Sequence, residues 1–257
     1  MMRIALAAVL LVLSGGAEAQ TRGCPEKSRN LLFHSCWGDA SAEVLLLPED
    51  ADRVVADEAE RKTVVVTGAY TGKDTRSNGA HNPVGLFIDG GAVVNPNLAR
   101  MDGIVLINDG QSVSIEIRSA VDLGEAEYDL TEPETRMAFA KQASERGFSV
   151  FQSHLLIKNG ALDVRQTENA PVAVRRMLFT DDLGWGLWQT DGVATLYAAA
   201  DGFLTEHGPV MALNLDMGSY DYCIEYGGPA VRNCGVLAAA DTAKLSNLLR
   251  LSFVAEP

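Results

Sequence analysis

Ile104-Val105-Leu106-Ile107-Asn108-Asp109-Gly110-Gln111-Ser112-Val113-Ser114-Ile115-Glu116-Ile117 is the stretch that decides the fold class. An apolar run enters an Asp-Gly turn. It leaves as a segment in which Val113, Ile115 and Ile117 alternate with Ser114 and Glu116, the period of a half-buried strand. Such a hairpin belongs to an antiparallel-rich sheet. Outward from it, further β-type runs occupy residues 43–47, 63–67, 84–88, 150–157 and 212–215, with Asp89-Gly90-Gly91 and Asn159-Gly160 as turn signals. Two helices interrupt them. One opens at Thr131-Glu132-Pro133-Glu134, a Thr cap with an early Pro and a Glu completing a capping box, and stops at Gly147. The other runs from Thr195 to His207, sets Leu196, Ala199, Ala200, Phe203 and Leu204 on one face, and ends at Gly208. A third is expected over residues 49–60. The resulting expectation is an α+β fold, helices packed on a mixed, mainly antiparallel sheet, as a single domain over residues 20–257.

The N-terminus has a separate character. Met1-Met2-Arg3 is followed by an apolar run from Ile4 to Leu13, a Ser14-Gly15-Gly16 break, and Ala17-Glu18-Ala19, a small-x-small cleavage pattern. Residues 1–19 thus read as a signal peptide, and the remainder as a secreted or periplasmic chain. No later apolar run reaches the roughly 20 residues of a membrane span. The net charge of −13 disfavours nucleic acid as a partner, since a polyanion would be repelled and no basic run offsets this. The cysteines Cys24, Cys36, Cys223 and Cys234 form two close pairs. Pairing 24 with 36 and 223 with 234 is expected, although the spacing also allows crossed pairing. There is no Cys-x-x-Cys, His-x-x-x-His or Glu-x-x-His, so no metal and no cofactor are expected. Oligomeric state is not readable.

The chemistry is concentrated at strand ends. Ala212-Leu213-Asn214-Leu215-Asp216-Met217-Gly218-Ser219 places Asn214 and Asp216 where an apolar strand enters a Gly-Ser turn, either aimed at a ligand or capping the backbone as an Asx turn. Gln152, Ser153 and His154 sit inside an apolar strand. Arg175-Arg176 precede another, and a buried guanidinium there needs an anion, supplied by a structural carboxylate or by a ligand. Trp185, Trp188 and Tyr197 could stack on a sugar or serve as core.

In order, these segments resemble the phosphodiester glycosidase family. The likeness is carried by Val64-Val65-Val66-Thr67-Gly68-Ala69-Tyr70, Pro83-Val84-Gly85-Leu86-Phe87-Ile88-Asp89-Gly90-Gly91, Phe151-Gln152-Ser153, Leu155-Leu156-Ile157-Lys158-Asn159-Gly160, Arg175-Arg176, and residues 195–208 leading into Ala212-Leu213-Asn214-Leu215-Asp216. The resemblance implies an exported hydrolase acting on a glycosyl phosphodiester or related envelope saccharide. Asp216 would be its carboxylate, and Arg175 or Arg176 would hold the phosphate. Tyr70, Gln152, Ser153, Asn214 and Ser219 would line the saccharide site, with His154 as an acid or a hydrogen-bonded core residue. The chain has Thr67 where the family usually has Asn, and Met217 where it usually has Gly. Those departures motivate an alternative, a saccharide-binding or envelope-assembly protein of the same fold without turnover.

Overall fold

The computed structural model describes residues 23–54, 61–227 and 231–255. Residues 1–19, read above as a signal peptide, lie outside the described residues. So do residues 55–60, which hold half of the third expected helix. Its described part is a single 3-10 turn, Ala51–Arg53.

The architecture is β-rich, and the expectation of helices packed on a mixed sheet is corrected. The described strands form five sheets, and every pairing in them is antiparallel. A six-stranded sheet orders Leu31–His34, Gly184–Ala194, Ala173–Asp181, Met211–Asn214, Leu155–Lys158 and Ala161–Leu162. A second, five-stranded sheet orders Ala92–Asn95, Phe87–Asp89, Ser149–Ser153, Gly103–Asn108 and Ser112–Ile117. A third orders Arg232–Asn233, Cys223–Tyr226, Arg61–Thr67, Asn247–Ala255 and Gly38–Leu46. Two short ribbons complete the set.

One apolar cluster is shared by all three large sheets: Phe33, Leu178 and Leu213 from the first, Phe151 and Val105 from the second, Val66 and Leu251 from the third. The outer faces are covered as well. Helix α1 (Pro133–Glu145) lays Phe139 and Ala143 on Ile88, Ile104 and Val150 of the second sheet. Helix α2 (Leu196–His207) lays Ala199, Ala200 and Phe203 on Met177, Trp188 and Ala212 of the first. Trp188 and Trp185 are thereby core residues. Leu45, Val65, Ile224 and Leu248 of the third sheet are closed off by Tyr222, Leu237 and Leu245. Strands covered on both faces show apolar runs such as Val64-Val65-Val66 and Ile104-Val105-Leu106-Ile107 in place of alternation.

Helix boundaries follow local chemistry. Thr195 caps α2, its side chain accepting from the Ala198 amide at 3.1 Å, and Gly208 closes it at φ 60. The expected Thr131 cap is not formed: Glu132 takes that position, and the Thr131 hydroxyl donates to Asp129 Oδ1 at 2.6 Å. Two expected strands are each broken. The run 84–88 enters a strand only at Phe87, after a bend at Gly85, whose φ of 84 suits glycine, and the run 150–157 is divided at His154. Cys24–Cys36 and Cys223–Cys234 are both bonded.

Two glycines allow the packing to be measured. A Cβ on Gly186 would lie 2.5 Å from the Phe179 ring and 2.6 Å from the Phe33 carbonyl oxygen, whereas Gly202 in α2 faces open space. Gly186→Ala is expected to cost about 1–3 kcal/mol by overpacking, and Gly202→Ala to stabilise by about 0.5–1 kcal/mol. Urea unfolding of both variants checks the pair.

Candidate functional site

Two chain crossings build the site. Strand Ser149–Ser153 of the second sheet bends at His154 and continues as Leu155–Lys158 of the first. Strand Met211–Asn214 leaves the first sheet at Leu215, whose amide donates to the Arg176 carbonyl. It meets the end of Arg61–Thr67 where the Asp216 amide donates to the Gly68 carbonyl at 3.1 Å. The seam between sheets thus gathers Asp216, Asn214, Tyr70 and His154.

Asp216 is 4% exposed. Its Oδ2 accepts from the Thr71 amide and its Oδ1 from the Met217 amide, each at 2.9 Å. Burial pushes its carboxyl up to about 6. The Thr71 and Met217 donors oppose that rise, and the charge of Asp221 adds to it. Asn214 Nδ2 donates to the Tyr70 hydroxyl at 2.5 Å and to the Leu215 carbonyl at 2.7 Å. With the amide so oriented, its buried Oδ1 has no partner among the described residues. Burial raises the Tyr70 phenol to about 12. The Asn214 hydrogen bond and the Arg175 charge act against this and Asp216 acts with it, so the phenol stays protonated and lies in electrostatic reach of both charges. The His154 ring meets the Tyr70 ring edge-on, 5.6 Å between centroids.

Arg175 and Arg176 divide sharply. The register of strand Ala173–Asp181 against Gly184–Ala194 shifts between Val174 and Arg176, and Arg175 sits in that irregularity. Its Nε donates to the Ala194 carbonyl at 2.9 Å and its Nη2 to the Pro171 carbonyl at 2.6 Å. Arg176 is fully buried, with Nη1 on Asp221 Oδ1 at 2.8 Å and Nη2 on Gln189 Oε1 at 3.0 Å. It forms a buried ion pair, and the carboxylate that answers it is Asp221.

Gln152 and Ser153 are likewise engaged within the fold. Gln152 Oε1 accepts from Leu86 and Ala99 amides at 3.2 and 2.8 Å, while Nε2 donates to the carbonyls of Ala99 and Met101 at 3.2 and 2.5 Å. No group is left for a ligand. The Ser153 hydroxyl donates to the Asn214 carbonyl, buried. Ser219 is exposed in the 3-10 turn Gly218–Tyr220. Met217 has φ −141, so the residue itself is unstrained, and the left-handed position falls on Gly218 at φ 77.

No family model matches the chain, and no curated protein does. Among solved structures it is similar to the zebrafish N-acetylglucosamine-1-phosphodiester alpha-N-acetylglucosaminidase catalytic domain, auto-inhibited by its pro-peptide. The identity is 15% and the TM-score 0.48, over 84% of this chain and 73% of that one.

Sequence reasoning missed the clamp behind Tyr70. Asn247 Oδ1 accepts from the Ala69 amide at 2.8 Å, its Nδ2 donates to the Ala69 carbonyl at 3.0 Å, and the Thr71 and Ser246 hydroxyls lie 3.2 Å apart. The signal was present: Ser246-Asn247 opens the apolar run Leu248-Leu249, mirroring Asn214 at the end of its strand. Thr67 occupies a role of its own, donating to the Tyr220 carbonyl at 2.5 Å and accepting from the Tyr222 amide at 3.0 Å.

Two stability outcomes follow from these environments. Arg176→Met leaves Asp221 unpaired in the interior and is expected to cost about 3–5 kcal/mol, much of which Arg176→Met/Asp221→Leu recovers; a double-mutant cycle in denaturant reads this. Asp216, raised from 3.8 to about 6, favours folding fully below pH 3.8 and loses that contribution as pH rises through about 6. Relative to Asp216→Asn, the wild-type chain should lose roughly 3 kcal/mol between those limits; unfolding both at pH 4, 5, 6 and 7 checks it.

Proposed function

We propose that this chain is an exported hydrolase of glycosyl phosphodiesters or related envelope saccharides, with Asp216 as its carboxylate and Arg175 as its anion-binding group. The observation that carries the reading is the gathering of buried Asp216, the Asn214–Tyr70 hydrogen bond and the His154 ring at one seam, with Arg175 in electrostatic reach of the phenol. The ordered motifs of the sequence support it. So do the two disulfides, which suit an oxidising compartment. No helix among the described residues is long and apolar enough to cross a membrane.

In this mechanism the bond from the anomeric carbon to the phosphate oxygen breaks, and its electron pair leaves with the phosphate. The sugar acquires oxocarbenium character. Ionised Asp216 stabilises that charge, attacks the carbon, or takes the proton of an incoming water. Arg175 balances the charge on the leaving phosphate, which needs little protonation. The Tyr70 hydroxyl donates to a substrate oxygen, held in place by Asn214 and the Asn247 clamp.

One observation favours the second reading, a saccharide-binding protein without turnover: both carboxylate oxygens of Asp216 already accept backbone hydrogens. Release of free sugar from a panel of glycosyl phosphodiesters separates the two. The hydrolase is expected to turn over with activity rising through pH 6, to lose about 10²–10⁴-fold in Asp216→Asn, and to lose about 10²-fold or more in Arg175→Met. Glycan binding without turnover selects the second reading, and neither binding nor turnover sinks both.

A further inference from the structure

His34 lies remote from the reaction just described and in an arrangement of its own. It is fully buried. Its Nε2 is 3.1 Å from Asp181 Oδ2, and its Nδ1 accepts the Cys36 amide hydrogen at 3.1 Å. Asp181 is itself fixed, its Oδ1 accepting from the Leu183 and Gly184 amides at 2.8 and 2.9 Å. A carboxylate on Nε2 places the ring proton there and leaves a lone pair on Nδ1, on the cysteine side. The sulfurs of Cys24 and Cys36 and a ring nitrogen of His34 all lie within 4.8 Å of one another. Cys24 is exposed, and His34 and Asp181 line a cavity of about 240 Å³ together with Gly23, Pro25 and His207.

We propose that the reduced chain holds a site for one soft divalent cation of the zinc class, with Cys24 and Cys36 as thiolate ligands, His34 Nδ1 as the third donor and Asp181 as the residue that orients the imidazole. Two thiols and one nitrogen are a zinc-type donor set, and three protein ligands leave a fourth position to solvent. The Asp181–His34 pair is the outer support such histidines use. A thiol reductant opens the site: the protein disulfide and two reductant thiols give two protein thiols and one reductant disulfide. The cation then displaces one proton from each thiol, and Nδ1 exchanges the Cys36 amide for the metal. With the two sulfurs bonded to each other no thiolate exists, so disulfide and metal exclude one another. Cys223–Cys234 has no such third donor among the described residues and serves as an internal control.

The test uses cobalt(II) as a coloured probe on the chemically reduced full chain. One equivalent is expected to bind with thiolate-to-cobalt charge-transfer absorption, absent from the oxidised chain. Cys24→Ser/Cys36→Ser should abolish the band and Cys223→Ser/Cys234→Ser retain it, while Asp181→Asn should weaken binding about 10–100-fold. Zinc should raise the melting temperature of the reduced chain and leave that of the oxidised chain unchanged. The proposal is overturned by absence of the band in the reduced wild type, by its survival in Cys24→Ser/Cys36→Ser, or by its indifference to His34→Gln. Loss of the β-sheet circular dichroism on reduction also overturns it, because the donors would no longer be held together.

Discussion

Everything in this molecule answers to one constraint: its three large sheets are buried on both faces. A polar side chain inside such a strand meets no water, so leaving it unpaired costs on the order of 1–3 kcal/mol or more. Gln152 with its four backbone bonds, Arg176 with Asp221, and Thr67 between two backbone groups are the result. Of these, the Arg176–Asp221 pair ties the first sheet to the segment that enters the third. Only where a strand ends or crosses between sheets does a side chain retain some access, and those crossings are where Asp216, Tyr70 and His154 sit.

That constraint explains what the sequence disclosed. The hairpin at Asp109-Gly110 and the alternation of Val113, Ile115 and Ile117 were legible because that strand lies at a sheet edge and keeps polar positions. Helix α2 was legible from a cap, a glycine and a stripe. Long strands such as Ala173–Asp181, Gly184–Ala194 and Asn247–Ala255 were not, because double burial erases the period-2 signal and mixes polar residues in for pairing. With them hidden, the sheet content was underestimated and the helices were given too large a part.

The same reasoning separates the site residues. A polar residue within a strand and one at its end look alike in a sequence, so Gln152 and Asn214 could not be told apart. Arg175 and Arg176 could not be divided either, because the register irregularity between Val174 and Arg176 removes the simple alternation that would have assigned their faces. Asp221 lay in view as an acidic residue, but its partner is 45 positions away, and nothing local marks so distant a pairing.

The three tight turns, Gly90-Gly91, Asp109-Gly110 and Asn159-Gly160, close strands at ends remote from the bend at His154. Gly90-Gly91 and Asp109-Gly110 sit beyond the Ser149 end of the strand that enters the bend, and Asn159-Gly160 beyond the Lys158 end of the strand that leaves it. Chain added at any one of these turns, whether an epitope, a tether or a neighbouring module, would join the protein away from the polar groups of the seam, which makes the turns natural handles by which to hold the molecule.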